Sequence, residues 1–282
     1  MSVKKQYKLN DGNHISAIGL GTVGLKGAKA VGDIVHAIDL GYRYIDTSTN
    51  YNNEGVVGEA VRRTSVPRDQ LFIGSKLPGS AHEYDKAFQM LQESLYRTGL
   101  DYFDQYIIHW PLPKQGKYVE AWQALIDAQK QGLIRSIGVS NFLPEHLDKI
   151  IDETGVVPAM NQVERHPYFI NKEVVEDNHK RGIIVEAWSP LGRNLNDLRE
   201  NETIQKIAEK YNKSNSQVII RWNLQNGVLP VVKSANPEHQ AANLDVYDFE
   251  LTTEDCKIID NLDKGFEGLV EGQDPNEYEE FD

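Results

Sequence analysis

The sequence predicts an α/β protein, a (β/α)8 TIM barrel with an N-terminal β-hairpin. Three observations predict it: eight short apolar runs, amphipathic helical patterns between them, and a length of 282 residues that suits one barrel plus a hairpin. The hairpin comes first. Tyr7-Lys8-Leu9 and His14-Ile15-Ser16 flank Asn10-Asp11-Gly12-Asn13, whose Asp-Gly step is a turn signal, so the hairpin spans residues 7–16. The apolar runs follow at residues 18–20, 44–45, 71–75, 106–108, 136–139, 160–163, 183–187 and 229–232. Helical spacing separates them, as in Ala87, Met90, Leu91 and Leu95, or Trp122, Leu125, Ile126 and Ala128. Such alternation needs parallel strands joined by crossover helices. No boundary interrupts the repeat, so residues 1–282 read as a single domain.

The stretch from Gly41 to Glu54 organises the rest. Gly41 ends the helical pattern of Ile34, Ala37, Ile38 and Leu40, where a glycine just past the helix takes positive φ at little cost. Tyr44-Ile45 is a short strand, Asp46 stands where it stops, and Tyr51 lies in the loop beyond. Asn52 or Asn53 is expected to cap the next helix, which covers residues 56–61. A carboxylate at a strand's C-terminal end and a tyrosine in the following loop are where a barrel of this kind keeps its chemistry.

Composition narrows the partners. A net charge of −12 argues against nucleic acid and anionic membrane surfaces. The single Cys256 excludes an internal disulfide and any paired-cysteine zinc or redox site, and no metal-binding motif is present. The N-terminus lacks an apolar signal region and no apolar run reaches a membrane span, so a cytoplasmic protein is expected. The only shift in composition is the acidic tail at residues 271–282.

Gly19-Leu20-Gly21-Thr22-Val23-Gly24 matches the glycine fingerprint of dinucleotide-binding Rossmann folds. The context does not. Asp39, at about the right distance for a ribose-binding acid, falls inside a helical pattern rather than at the end of a second strand. The glycines are better explained by a βα loop that lets a ligand or another backbone approach closely.

Four polar residues occupy corresponding places in successive units: Asp46 and Tyr51 after the second barrel strand, Lys76 at the end of the third, and His109 at the end of the fourth. Each alone has a structural reading as a cap, a loop aromatic, a surface charge or a core histidine. Together they converge on one mouth. A free tyrosine is a poor acid at neutral pH, with a pKa of about 10, and a neighbouring ammonium favours its phenolate. On this reading Lys76 lowers the Tyr51 pKa, Asp46 fixes Lys76 as an ion pair, and His109 donates to a substrate carbonyl. The result is an acid that protonates an alkoxide as hydride arrives from a bound cofactor.

At these residues the chain resembles the aldo-keto reductases, over nearly its whole length. The matching motifs are Gly41-Tyr42-Arg43-Tyr44-Ile45-Asp46-Thr47, Ser75-Lys76-Leu77, Ile108-His109-Trp110-Pro111, Gly138-Val139-Ser140-Asn141-Phe142, Asn161-Gln162-Val163-Glu164, Ser189-Pro190-Leu191-Gly192 and Lys233-Ser234. The likeness is strongest to small bacterial members that reduce diketogluconate and general aldehydes. It implies hydride transfer from NADPH, or NADH, to a small aldehyde, ketone or dicarbonyl, with Tyr51 as general acid and Asp46, Lys76 and His109 as its partners. It places Gly21, Thr22, Ser140, Asn141, Gln162, Trp188, Ser189, Leu191, Lys233, Ser234, His239 and Asn243 on the cofactor. In that assignment Trp188 stacks on the nicotinamide, and Lys233 and Ser234 take the 2′-phosphate of NADPH. Val23, Tyr51, His109 and Trp110 would line the substrate pocket, with no metal.

Several positions depart from the family pattern. His239 stands where arginine is usual, Ala242 where glutamate is frequent, Pro78 where some relatives carry tryptophan, and Leu269 where bacterial relatives often carry arginine. The expected pocket is open, with Trp110 its main apolar wall. The tail at residues 268–282, with Tyr278 and Phe281, reads either as a flap over the mouth or as a frayed end. A monomer is expected. Two other classes compete: a cofactor-binding barrel with a structural or regulatory role, and a hydrolase, which would need a second carboxylate beside Asp46.

Overall fold

The computed structural model describes residues 5–280, and its central feature is a closed barrel of eight parallel strands preceded by a two-stranded hairpin. The hairpin pairs β1 (Gln6–Lys8) with β2 (His14–Ser16), and Tyr7 lies opposite Ile15. The barrel strands are β3 (Gly19–Gly21), β4 (Tyr44–Asp46), β5 (Phe72–Leu77), β6 (Phe103–Ile108), β7 (Ile134–Ser140), β8 (Met160–Glu164), β9 (Ile184–Trp188) and β10 (Val228–Val232). They pair in chain order, and β10 closes on β3 with Val231 opposite Gly19.

The hairpin covers the N-terminal end of this barrel. Its two inward side chains, Tyr7 and Ile15, are buried. Asn10 donates to the Pro158 carbonyl at 2.8 Å, and Asn13 donates to the Arg135 carbonyl at 3.2 Å, tying the turn to the starts of β8 and β7. The opposite end is therefore the open one. Helices wrap the outside. The first, Gly27–Leu40, buries Ala30, Val31, Ile34, Ala37 and Ile38, and stops at Gly41 with φ 118°. Asp39 lies inside that helix, which leaves no place for a Rossmann ribose acid. Among the described residues no helix is long and apolar enough to cross a membrane.

Most strands run further than the apolar runs suggest. β5 continues to Leu77, β7 spans Ile134–Ser140, β8 reaches Glu164 and β9 reaches Trp188. Several of the undercounted residues, such as Asp46, Lys76, Asp104 and Glu164, are polar groups with buried partners, which hydropathy alone reads as strand ends. Asp104 in β6 shows how: it pairs with Arg68 at 2.6 Å and Arg135 at 3.3 Å and accepts from the Ile73 amide at 2.9 Å.

The barrel interior is polar near its open end. The glycines of the apparent fingerprint make room for it. A Cβ on Gly19 would lie 2.5 Å from the Tyr44 ring, so glycine lets that ring turn inward. The Tyr44 hydroxyl then donates to Glu186 Oε2 at 3.0 Å, joined there by Gln105 Nε2 at 3.2 Å and Gln162 Nε2 at 2.9 Å. Glu186 Oε1 and Gln105 Oε1 are both buried without a partner. One proton on Oε1 converts it to a donor beside an amide already bonded to the other carboxyl oxygen. Burial pushes Glu186 up to about 7, with the Gln162 hydrogen bond opposing and the Asp46 charge adding.

A carboxyl held above its unfolded value of about 4.3 keeps its proton in the folded protein after the unfolded chain has lost it. Glu186 therefore withdraws stability as pH rises through the window between about 4.3 and about 7, and the loss persists above it. A Glu186→Gln variant retains the acceptor and adds a fixed donor. It should be more stable than the parent above pH 7 by about 1–3 kcal/mol, and the gain should vanish below about pH 4. Urea unfolding of both proteins at several pH values measures this. Parallel stability curves would mean that Glu186 holds no proton in that range.

Candidate active site

Lys76 and Asp46 form the centre. Asp46 is the last residue of β4, and Lys76 lies near the end of β5, the adjacent strand. Lys76 Nζ donates to Asp46 Oδ1 at 2.6 Å, to Oδ2 at 2.7 Å and to the Thr47 carbonyl at 2.8 Å. Both side chains are buried. Three acceptors thus receive the three ammonium protons. Burial works against the Lys76 charge, but the Asp46 carboxylate and the Tyr51 phenol outweigh it, so its pKa lies above the ordinary lysine value. Gln162 adds an Nε2 donor to Asp46 Oδ1 at 3.1 Å.

Tyr51 ends a short 3-10 turn, Thr49–Tyr51, that follows β4 and is capped by the Ser48 hydroxyl. Its ring centroid lies 5.0 Å from Lys76 Nζ and 6.3 Å from the His109 ring. The phenol differs from expectation in one respect. Its pKa is raised, because burial outweighs Lys76; the lysine opposes the rise, and Asp46 adds to it. The ammonium therefore limits an upward shift rather than producing a downward one, and Tyr51 is a protonated phenol at neutral pH.

His109 follows β6, and its carbonyl accepts from Asn141 Nδ2 at 3.0 Å. Asn141 also receives a bond from Trp188 Nε1 at 2.8 Å, which fixes the indole plane at the end of β9. Ser140 donates to the Gln162 carbonyl at 2.7 Å. Asn141 (φ 61°) and Ser189 (φ 48°) adopt left-handed backbone, which turns the chain sharply where β7 and β9 end.

The sequence-assigned cofactor residues divide into two groups. Ser140, Asn141, Gln162, Trp188 and Ser189 stand at the ends of β7, β8 and β9, where Gln162 reaches Asp46 and Asn141 reaches His109. Lys233, Ser234, His239 and Asn243 follow β10. Gly21 lies between them, and a Cβ there would stand 3.7 Å from Lys233 Cβ. Lys233 and His239 are exposed, and Lys233 has no ion pair among the described residues. Other members of the set have local work. Thr22 donates to the Asp46 carbonyl at 2.9 Å, Asn243 is buried against the Tyr42 phenol, and Leu191 packs on the apolar core. Ser234 Oγ accepts from the Asn236 amide at 3.0 Å. Asn236 caps the helix Pro237–Leu244 by accepting from the Glu238 and His239 amides, so those donors are already used. An exposed unpaired lysine, a fixed and half-buried indole, and a glycine backbone between them suit a dinucleotide with a phosphate at one end and a flat ring at the other.

Two expectations fail here. Asn53 takes the cap position of the helix Glu54–Arg63, but its side chain does not cap it. Its amide donates instead to the Thr22 and Leu25 carbonyls at 2.7 and 3.0 Å, and its oxygen accepts from Thr47, so it braces the glycine-rich loop. The pocket is also less open than expected. Tyr278 stacks on Trp110 with centroids 4.4 Å apart, and Glu280 reaches Asn50, His109 and Gly79. The tail is a flap; Phe281 lies outside the described residues. Val23 remains exposed at the rim.

The residues missed from sequence are Glu186, Asn50 and Glu280. Glu186 had a signal, an acid inside an otherwise apolar strand and two places before Trp188. Asn50 and Glu280 had none, because their partners are distant in the chain. A polar cleft of about 420 Å³ beside the hairpin, lined by Arg43, Asp104 and Arg135 among others, lies at the opposite end from these groups.

The fold and site have close counterparts. A family model described as the aldo/keto reductase family matches residues 17–264. The chain is 45% identical to 2,5-diketo-D-gluconic acid reductase B of Corynebacterium, covering 97% of each chain. It is 40% identical to methylglyoxal reductase DkgA of Escherichia coli K12, covering 96% of this chain and 97% of the relative. The crystal structure of a Gox0644 point mutant in complex with NADPH superposes with a TM-score of 0.92 at 38% identity, covering 99% of this chain and all of the other. A barrel that carries this buried pair at its open end, and relatives of this likeness along its whole length, settle the class: the chain belongs to the aldo/keto reductase family and is an NAD(P)H-dependent carbonyl reductase.

Proposed function

We propose that the enzyme reduces small aldehydes and dicarbonyls, of the kind named by its diketogluconate- and methylglyoxal-reducing relatives, with Tyr51 as the proton donor. The buried Lys76 ammonium carries this reading: it is locked between Asp46 and the Thr47 carbonyl and lies beside the Tyr51 phenol. The bound nicotinamide supplies the hydride. As negative charge grows on the carbonyl oxygen, Tyr51 gives up its proton and Lys76 stabilises the phenolate left behind. Asp46 holds Lys76 in place, and His109 orients the carbonyl by a hydrogen bond. In the reverse direction the Tyr51 phenolate removes the alcohol proton.

Trp188 offers a flat face for the nicotinamide, and Ser140 and Asn141, the latter bonded to Trp188 Nε1, are the side chains read as meeting its carboxamide. Lys233 and His239 are exposed beyond β10 and are the side chains read as facing the adenosine phosphate.

Tyr51→Phe keeps the ring and removes the proton donor. Carbonyl reduction should fall by about 10²–10⁴-fold, the usual contribution of general acid catalysis, while cofactor binding changes little. Steady-state rates with methylglyoxal, alongside a fluorescence titration of NADPH, decide the point. Near-normal turnover would remove Tyr51 from the role.

His239 offers a second test. An imidazole carries charge only part of the time near neutrality, whereas a guanidinium is always charged and grips phosphate in two places. His239→Arg should tighten NADPH binding by up to about tenfold and leave NADH unchanged. Lys233→Ala should weaken NADPH in both backgrounds. Equal effects on the two cofactors would place His239 away from the phosphate.

A further inference from the structure

The barrel mouth holds one of the chain's own carboxylates. Glu280 Oε1 accepts from Asn50 Nδ2 at 2.6 Å and pairs with His109 Nδ1, and Oε2 accepts from the Gly79 amide at 2.5 Å. The carboxylate is 4% exposed. Its donors come from three segments, after β4, after β5 and after β6. The site is also shaped for it. A Cβ on Gly79 would lie 2.2 Å from Leu112 Cδ1 and 2.9 Å from Glu280 Oε2, so glycine leaves room both for that leucine and for a carboxylate at the amide. His82, 2% exposed with both ring nitrogens unpartnered, is close enough to feel the Glu280 charge. Burial pushes that imidazole down to about 4, and Glu280 opposes the fall.

A buried carboxylate is costly to strip of water unless donors replace the water, and here they do. The contacts that hold the rest of the tail are mostly at the surface: Lys114 with Glu277 at 3.0 Å, Gln115 with Glu279 at 3.0 Å, and Arg193 with Glu271 at 2.5 Å. Exposed pairs of this kind add little stability each, so the tail can be displaced. The donors would then face the open mouth, and an incoming carboxylate would satisfy them again in place of water.

We propose that Asn50, the Gly79 amide and His109 Nδ1 form a carboxylate-binding subsite that Glu280 fills in the resting enzyme and an oxo-acid substrate fills during turnover. Glu280 is then a competitor built into the chain. The idea rests on the reading that His109 faces the substrate carbonyl. One imidazolium would serve both groups, its Nδ1–H the carboxylate and its Nε2–H the carbonyl oxygen. That favours acids whose carboxylate stands within a few bonds of the carbonyl. An uncharged group can accept from the donors that Glu280 vacates but brings no charge to them, and so binds there more weakly.

The test uses non-reducible probes against methylglyoxal reduction with NADPH: propanoate, and propanamide as its uncharged counterpart. In the parent enzyme propanoate should inhibit weakly, because Glu280 holds the site. Glu280→Ala should lower the propanoate inhibition constant by about tenfold or more, with little change for propanamide. Adding Asn50→Ala to Glu280→Ala should reverse most of that gain. An unchanged propanoate constant in Glu280→Ala, an equal gain for propanamide, or a gain that survives Asn50→Ala would each overturn the subsite and leave the tail a steric flap. Absence of methylglyoxal reduction by the parent enzyme would instead overturn the substrate reading, and it would be seen before any probe is added.

Discussion

The ion pair between Lys76 and Asp46 is the constraint on which the site depends. Two charges are buried at the ends of neighbouring strands, where neither could stand alone. Removing one partner of such a pair typically costs about 3–5 kcal/mol, because the other charge is left uncompensated. The surroundings complete the arrangement. Thr47 supplies the third acceptor for the ammonium, Gln162 supplies a donor for the carboxylate, and Thr22 ties down the Asp46 carbonyl. The parallel register of β4 and β5 sets the distance, and the hairpin lies at the other end of the barrel.

Behind the pair lies a second polar layer of Tyr44, Gln105, Gln162 and Glu186. Gln162 joins the two layers, since its single amide nitrogen bonds both Asp46 and Glu186. A permanent charge on Glu186 would add repulsion behind Asp46. Burial avoids it by favouring the neutral acid. The same burial acts on Tyr51, where it keeps the phenol protonated, and Lys76 prevents the cost of ionisation from becoming prohibitive. Acid and counter-charge are thus balanced against desolvation rather than added to it.

Much of this could be read from the sequence. The alternation of apolar runs and amphipathic helices placed eight strands, and Asp46, Tyr51, Lys76 and His109 fell at successive strand ends. Gly41 closed its helix as a glycine there should. The departures have a common cause. Strand ends, the role of Asn53 and the inward turn of Tyr44 depend on partners far along the chain, which local pattern cannot supply. Asn53 illustrates the limit: an asparagine ahead of a helix reads as a cap, yet the Thr22 and Leu25 carbonyls of the glycine-rich loop claim its amide. The tail was legible only as acidic. Its place over Trp110, and the reach of Glu280 to Asn50 and Gly79, come from packing across the whole barrel mouth.

The central claim is that Lys76 sets the proton affinity of Tyr51. Alcohol oxidation requires the phenolate, so its rate should rise with pH as Tyr51 ionises. Replacing Lys76 with methionine removes the ammonium and leaves the Asp46 charge beside the phenol, and both changes raise the phenol pKa. The direct measurement is the pH profile of kcat for alcohol oxidation in the parent and in Lys76→Met. The account predicts a lower plateau and a rising limb moved upward by about one pH unit or more. A slower variant with an unmoved limb would contradict it, and would reduce Lys76 to a structural partner of Asp46.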